Sequence, residues 1–311
     1  MDTAAVARFE ASRPRLASLA YRLLGSAADA EDTVQDAFLR WQAADRSYVE
    51  VPEAWLTKIV TNLALDRLRS AEARRVRAVG TWLPEPLLDG DPMLGPADTV
   101  EQRESVTLAV LTLMERLTPI ERAVYVLREA FAYRHAEIAE ILELTESASQ
   151  QHLHRARRRL DRSGSGTGID RAAAHRIVQA FVDAASSGRT DQLVALLTDD
   201  VTAVSDGAGL SERLIRLTSP ERVARAFRAG FKPTAAKRAL VGGSPSMHAE
   251  LVNGCPALLA VLDDRVIGMV VFDMRDGRIA GVHGVGSAAR LGRLSGEWRC
   301  RVHEAPLIAA W

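Results

Sequence analysis

Apolar residues recur every three or four positions through the N-terminal part of the chain, a spacing typical of amphipathic helices. One helix runs through Leu16 and Leu23 and is expected to end at Gly25, because glycine often terminates helices. A second spans residues 29–42 and begins with acidic residues, which favour the positive end of the helix dipole. A third starts at Pro52. The pattern therefore predicts a bundle of three helices.

An acidic stretch rich in proline and glycine at 80–98 interrupts this pattern and is interpreted as a linker. Helices resume after it, and Thr118 directly before Pro119 is a strong helix start signal. A short helix at 135–142, a turn and a longer helix capped by Thr145 then predict a helix-turn-helix. The sequence SGSGTG that follows has the composition of a flexible linker and marks the clearest domain boundary.

Beyond that linker the pattern changes to helices followed by strands. Helices are predicted at 177–185, 192–197 and 220–227, and strands at 247–252, 257–262, 266–272 and 279–285. Asp276-Gly277 between the last two strands is a hairpin turn signal. We therefore expect an α+β cone, with helices packed on a curved antiparallel sheet.

Composition narrows the function classes. The 40 basic and 40 acidic residues give a formal net charge of zero. The chain as a whole therefore lacks the basic bias that would indicate nucleic-acid binding. The two cysteines, Cys255 and Cys300, form no CxxC pair, and we expect no disulfide framework, metal site or cofactor. Because the sequence shows neither a signal-peptide core nor an apolar run of membrane-spanning length, we expect a cytoplasmic protein without membrane contact.

The helix capped by Thr145 has a composition suited to DNA. Polar side chains in its N-terminal half can hydrogen-bond base edges in the major groove, and arginines in its C-terminal half suit phosphate contacts. An ordinary solvated helical hairpin explains the spacing equally well. The candidate DNA-contacting residues here are Ser147, Gln150, Gln151, His154, Arg155 and Arg158.

Two further charged clusters lie in the first bundle. Arginines gather around Arg67 and Arg69 at the end of the third helix, where they suit nucleic acid or simply complement the helix dipole. Acidic residues gather around Asp32 and Asp36 in the second helix, where they suit helix capping or a partner surface.

Together these segments resemble the extracytoplasmic-function (ECF) sigma factors. ADAEDTVQDAFLRWQ at 28–42 and PEAWLTKIVTNLALDRLRS at 52–70 resemble sigma region 2, and LTPIERAVYVLREAFAYRHAEIAEILELTESASQQHLHRARRRL at 117–160 resembles region 4. TWLPEPL at 81–87, with the C-terminal part, resembles the subgroup that has a fused SnoaL-like domain. The resemblance implies two all-α sigma domains plus an α+β SnoaL/NTF2-like cone, in a promoter-specificity subunit of RNA polymerase.

The resemblance also implies residue roles. The second helix would dock on the clamp of core RNA polymerase, the third would hold the melted −10 element of promoter DNA, and region 4 would bind the −35 element as duplex. The implied polymerase-binding residues are Asp29, Glu31, Asp32, Gln35, Phe38 and Arg40. Our choices for strand and phosphate contacts at the −10 element are Asn62, Asp66, Arg67 and Arg69.

This chain departs from the family pattern at several places. Glu143 stands where glycine is usual at the region 4 turn, and Ser149-Gln150-Gln151 replaces Val-Arg-Gln. DGAGL at 206–210 and SAARL at 287–291 replace two segments that, in the family, are thought to form contacts between the extra domain and the sigma core. The implied residues for this cis-regulatory contact are Trp82, Pro84, Asp206, Gly207 and Gly209.

Cones of the SnoaL type contain a pocket in which some relatives carry out acid–base chemistry. A catalytic carboxylate there needs a dry environment that raises its pKa. Structural roles at helix ends, in the core or at the surface explain the titratable residues without catalysis, so we expect no enzyme. The groups considered are Asp199, Asp200, Asp206, His248, Asp273 and His283.

The expected organisation has six segments: region 2 at 1–78, an acidic linker at 79–103, region 4 at 104–162, a flexible linker at 163–170, a SnoaL-like regulatory domain at 171–300 and a tail at 301–311. We expect a sigma factor whose activity is modulated in cis by its C-terminal domain, with an unknown small ligand as a further partner of that domain. Two alternatives stay open: a ligand-sensing helix-turn-helix repressor, and a SnoaL-like cyclase or isomerase with helical targeting domains.

Overall fold

The computed structural model describes residues 3–75, 83–95, 99–160, 169–207 and 214–311. They form two compact units. Unit 1 contains residues 1–79, 90–106 and 110–162, and unit 2 contains residues 80–89, 107–109 and 163–311. The chain therefore enters unit 2 before the helix-turn-helix begins.

The first part of unit 1 is the predicted three-helix bundle. Its helices are α1 (Thr3–Leu24), α2 (Ala27–Ala43) and α3 (Pro52–Arg75). Gly25 ends α1 with a positive φ of 68°, and Ser26 caps α2. Trp41 fills the bundle core, where its indole N–H donates to the Ala5 carbonyl at 2.9 Å. Burial of the apolar stripes explains why these helices form.

The second part of unit 1 is the helix-turn-helix with its preceding helices, apart from residues 107–109, which belong to unit 2. The elements are α4 (Val100–Glu104), α5 (Leu108–Met114), α6 (Pro119–Tyr125), a π turn (Val126–Ala130), α7 (His135–Leu142) and α8 (Glu146–Leu160). Thr118 and Glu121 form a reciprocal capping box at the start of α6, as Thr118-Pro119 predicted. The helices that precede Thr118 are the two short elements α4 and α5.

Two buried arginines connect these helices to the bundle. Arg22 Nε donates to the Ser105 hydroxyl at 3.0 Å, and burial lowers the Arg22 pKa to about 10. Arg122 pairs with Glu115 at 2.6 Å and donates to the Arg22 carbonyl, and burial lowers its pKa to about 9. Buried cations of this kind depend on their acceptors, because an unpaired charge in the core is costly.

Unit 2 is built on a six-stranded mixed sheet in the order β2-β1-β6-β5-β4-β3. Its strands are β1 (Leu197–Ser205), β2 (Ile215–Leu217), β3 (Ser246–Val252), β4 (Cys255–Leu262), β5 (Arg265–Arg275) and β6 (Arg278–Val285). Its helices are α9 (Arg171–Ser186), α10 (Thr190–Leu196), α11 (Pro220–Phe231), α12 (Ala235–Val241) and α13 (Ala288–Arg299).

The two faces of this sheet have separate cores. Phe181 and Val223, from α9 and α11, pack with Phe272 on one face. Leu291, from α13, packs with Val271 on the other face. Neighbouring residues of β5 point to opposite faces, so each strand contributes to both cores. This is the α+β arrangement that the SnoaL-like resemblance implied.

The predicted strands match β3 to β6, but the sheet is not purely antiparallel. β1 pairs with β6 in parallel, and β1, β2, α12 and α13 were not predicted. Asp199 and Asp200 lie exposed within β1 and break the apolar alternation that reveals a strand. At Asp276-Gly277 both residues have positive φ, 51° and 75°, as the hairpin signal predicted.

Candidate functional sites

Helix α8 presents one polar face. The candidates Ser147, Gln150, Gln151, His154, Arg155 and Arg158 are all exposed. Their spacing of three and four residues places them on one stripe, while Leu153 and Ala156 are buried on the opposite side. Polar groups that can contact base edges are thus aligned with arginines that can contact phosphates.

The two departures from the family pattern in region 4 have structural consequences. Ser149 is buried, and its hydroxyl lies 2.9 Å from His135 Nδ1, so it ties α8 to α7 and does not face outward. Glu143 adopts the left-handed conformation, with φ 56° and ψ 47°, where glycine carries no steric cost. The turn therefore keeps the geometry that glycine usually provides.

Helix α2 presents an acidic face. Asp29, Glu31, Asp32, Gln35 and Arg40 are exposed, and Phe38 is half-buried against the Phe9 ring, with centroids 4.9 Å apart. The exposed Leu39 lies beside them, with 54% of its surface accessible. This mixture of carboxylates and apolar groups suits a protein partner better than it suits DNA.

The α3 candidates are partly engaged by carboxylates. Arg67 contacts Asp36 at 2.8 Å and Asp29 at 3.8 Å, and Arg69 contacts Asp66 at 3.3 Å. Asn62 is half-buried. Such partly exposed ion pairs contribute only about 0–1 kcal/mol each, so DNA phosphates can replace the carboxylates at low cost.

Region 4 packs against the bundle inside unit 1. Arg15 of α1 donates to the Tyr133 hydroxyl at 2.9 Å, and the Thr57 hydroxyl lies 3.1 Å from the same oxygen. Lys58 of α3 pairs with Glu143 of the helix-turn-helix at 2.9 Å. These polar contacts join α3 to region 4 and hold the two DNA-binding candidates close together.

The segment after α3 folds into unit 2. Leu88 pairs with Val252 as an antiparallel extension beyond the edge strand β3. The Leu87 N–H donates to the Asn253 side-chain oxygen at 2.8 Å, and the Asn253 N–H donates to the Leu87 carbonyl at 2.9 Å. Pro84 is buried in this segment. The proline-rich, acidic composition of this stretch predicted a linker, and no local sequence signal indicated its pairing with Val252.

The two segments that depart from the family pattern contact each other. Asp206 is buried and accepts the N–H groups of Gly286 at 2.9 Å and Ser287 at 3.1 Å, and Arg290 pairs with it at 3.3 Å. Asp206 thereby satisfies backbone donors at the start of α13. Trp82 and Gly209 lie outside the described residues.

The titratable groups considered for catalysis do not converge on one pocket. A cavity of about 380 Å³ opens within unit 2, and none of the six lines it. Asp199 and Asp200 pair with Arg278 and Arg275 at the surface. Asp273 and His283 are buried as a pair at 2.8 Å. The remaining two, Asp206 and His248, have structural contacts at α13 and Trp298.

Within the described residues, no three or more His, Cys, Asp or Glu side chains are grouped so as to hold a metal ion. No described helix combines the length and apolar character needed to cross a bilayer.

A helix-turn-helix whose last helix carries an exposed polar stripe, joined to a three-helix bundle with an acidic face, is an arrangement typical of transcription proteins. The Sigma-70 region 2 model matches residues 8–74, and the Sigma-70 region 4 model matches residues 107–160. The ECF RNA polymerase sigma factor SigJ of Mycobacterium tuberculosis H37Rv is 41% identical over 212 residues, 68% of each chain. The probable ECF sigma factor SigI of the same strain is 31% identical over 283 residues, 89% of this chain and 91% of SigI.

The crystal structure of M. tuberculosis SigJ has the same overall fold. It matches with a TM-score of 0.67 at 31% identity, covering 92% of this chain and 98% of that one. The chain therefore belongs to the ECF RNA polymerase sigma factors.

Proposed function

We propose that this protein directs promoter-specific transcription initiation in the cytoplasm, with the acidic face of α2 on core RNA polymerase, α3 at the −10 element and the α8 stripe at the −35 element. The exposed α8 stripe is the observation that supports DNA binding best. Its mixture of amide, imidazole and guanidinium groups matches major-groove edges and phosphates.

The test is transcription by full-length protein with core polymerase on pooled genomic promoters. Asp32→Ala should abolish core binding, because it removes charge from the docking face. Gln150→Ala with Gln151→Ala should change which −35 sequences are used and leave core binding intact. Glu140→Ala is a matched control, since this exposed residue lies on α7 outside both faces. Promoter binding without polymerase would instead favour a repressor.

We further propose that unit 2 inhibits initiation in cis by holding the linker. The −10 and −35 elements lie about 25 base pairs apart, which is about 85 Å of duplex at about 3.4 Å per base pair. In unit 1, α3 packs against α6 and α7, at the roughly 10 Å spacing of contacting helices. Regions 2 and 4 must therefore separate on a promoter, and the linker between them must leave its folded course.

The observation that supports cis inhibition is the pairing of Leu88 with Val252. This pair is flanked by the bonds Asp89 N–H to Leu251 O and Asn253 N–H to Leu87 O, which makes it a non-hydrogen-bonded pair. Such pairs have Cα atoms about 4.5 Å apart, close enough for a disulfide. A reversible covalent lock can therefore be placed at this position.

The lock is made by Leu88→Cys with Val252→Cys in a Cys255→Ala, Cys300→Ser background, because Cys255 is the strand partner of Val252 and Cys300 is the exposed native thiol. Oxidised protein should initiate at least about tenfold less than the same protein after reduction, because the linker cannot leave β3. The Leu88→Cys single variant, oxidised and reduced, is the control. Equal transcription from locked and reduced protein would show that linker release is not required.

We propose no catalytic role for unit 2. The cyclase or isomerase alternative needs an acid or base in the cavity, and the described lining residues contain neither Asp, Glu nor His.

A further inference from the structure

The cavity in unit 2 has an apolar wall. It lies between α11, α12 and the sheet, with a volume of about 380 Å³, which falls within the range of small-molecule sites. Side chains from the helices, the strands and the chain after α13 form this wall. They include Phe227, Phe231, Met247, Leu258, Val270 and Trp311.

The polar groups of this wall are few. Among the described lining residues there is no Asp, Glu, His, Lys or Arg, so a charged ligand would lose its hydration without gaining a partner. The Ser205 oxygen accepts the Gly207 N–H at 3.1 Å, and its own O–H can donate. The Trp311 indole N–H already donates to the Phe231 carbonyl at 2.9 Å. The wall therefore suits an apolar molecule with one hydrogen-bond acceptor.

The Trp311 ring is held at the cavity by several contacts. Its backbone N–H donates to the Pro245 carbonyl at 2.9 Å, and Arg238 donates to its backbone oxygen at 3.1 Å. The Lys237 ammonium lies 5.7 Å from the ring centroid. Trp311 and Phe231 also line a neighbouring depression with exposed basic residues. The indole thus separates the apolar cavity from a solvent-facing surface.

The chain leading to Trp311 is attached at the edge of the sheet. Met247 N–H donates to the Ile308 carbonyl, and Leu307 N–H donates to the Met247 carbonyl, both at 2.8 Å. This short pairing involves one residue of β3, so it can open without unfolding the sheet. Movement of Trp311 would then widen the entrance of the cavity.

We propose that this cavity is a binding site for an uncharged, largely apolar molecule of about 10–20 non-hydrogen atoms carrying one carbonyl or hydroxyl oxygen, and that Trp311 is its gate. Ser205 donates to the ligand oxygen, and the aromatic and aliphatic wall replaces water around the rest of the molecule. The site does not depend on the sigma activity, and it is measured on the protein alone.

The first experiment is a fluorescence titration of full-length protein with N-phenyl-1-naphthylamine, an uncharged apolar probe that brightens in dry sites. We expect saturable binding at micromolar concentrations. The anionic analogue 1-anilinonaphthalene-8-sulfonate should bind at least about tenfold more weakly, because its sulfonate has no partner. Absence of saturable binding, or equal binding of both probes, would overturn the proposal.

Ala260→Phe tests the location, because this side chain lines the cavity and a phenyl ring would fill much of it. We expect at least about a tenfold loss of affinity for the uncharged probe. Ala236→Phe makes the same change on the exposed side of α12 and should bind as the wild type does. Wild-type affinity in Ala260→Phe, with an unchanged circular dichroism spectrum, would place the probe elsewhere and overturn the proposal.

Two further variants test the gate and the polar contact. Trp311→Ala should raise the association rate of the probe about tenfold, whereas Val302→Ala, at a fully exposed position of the same segment, should not. Ser205→Ala should weaken 2-naphthol about fivefold and leave naphthalene unchanged, since one hydrogen bond is lost. An unchanged association rate in Trp311→Ala would contradict the role of Trp311 as a gate. Equal losses of affinity for 2-naphthol and naphthalene in Ser205→Ala would contradict the role of Ser205.

Discussion

Replacing Asn253 with glycine should loosen the linker from unit 2 while leaving the sheet folded. Asn253 is fully buried, and its side-chain oxygen accepts the Leu87 N–H at 2.8 Å. Its φ of 51° lies in the left-handed region, which glycine adopts without strain. The substitution therefore removes the amide side chain and keeps the turn geometry and the backbone bond from Asn253 to Leu87.

The expected size of the effect follows from the burial of Leu87, whose N–H donates to Asn253. Leu87 is fully buried, so its N–H loses its acceptor without gaining water. A buried unsatisfied donor costs about 1–3 kcal/mol. A free-energy difference of that size changes an equilibrium about 5- to 150-fold. The population with residues 83–89 detached should rise by that factor.

Hydrogen exchange read by mass spectrometry measures this opening peptide by peptide. Peptides covering residues 83–89 should exchange about 5- to 150-fold faster, and peptides from β5 should change little. Asp276→Gly is the matched control. Asp276 also has φ 51° and precedes a glycine of positive φ, but its side chain is exposed and lies on the β5–β6 hairpin.

The comparison of the two glycine variants separates the hydrogen bond from the backbone effect. Both variants add the same chain flexibility at a similar turn. If residues 83–89 exchange at the same rate in the two variants, the Asn253 amide does not hold the linker. If β5 opens together with the linker in Asn253→Gly, the variant has lost the sheet instead of releasing one segment.

Three further predictions concern stability. Glu143→Gly should raise the melting temperature by a few degrees, because it removes about 1 kcal/mol of left-handed strain at the loss of one exposed ion pair; an unchanged or lower melting temperature would contradict this. Glu115→Gln should cost about 3–5 kcal/mol in urea unfolding, because Arg122 is 98% buried and keeps its charge at pH 7; a loss below about 1 kcal/mol would refute it. Desolvation, and then a neighbouring histidine, lower the pKa of His248 from 6.5. As the pH falls, His248 is therefore protonated in the unfolded chain before it is protonated in the folded one. The contribution of neutral His248 to the free energy of unfolding is complete above about pH 6.5 and is lost as the pH falls below that value. His248→Gln should flatten the melting temperature between pH 5 and pH 7, and parallel profiles for variant and wild type would count against the assignment.

Local patterns in the sequence were sufficient to predict the three-helix bundle and the helix-turn-helix of unit 1. Apolar spacing predicted α1 to α3, and Thr118-Pro119 predicted the capped start of α6. The polar stripe of α8 was also readable, since residues three and four apart share a helix face by geometry alone. The family resemblance added the order of regions 2 and 4, which the comparisons confirm. The roles assigned to single side chains stay predictions.

Tertiary structure decided the features that join distant parts of the chain. The sequence shows proline, glycine and acids at 80–98, but not that Leu88 pairs with Val252, more than 160 residues away. It shows Asp206, but not that this carboxylate accepts hydrogen bonds from the backbone N–H groups of Gly286 and Ser287, 80 and 81 residues further along the chain. Periodicity reports which side of an element is buried and not what it is buried against. Strand partners, caps supplied from elsewhere and the apolar cavity depend on contacts between remote segments, so they emerge only when the chain has folded.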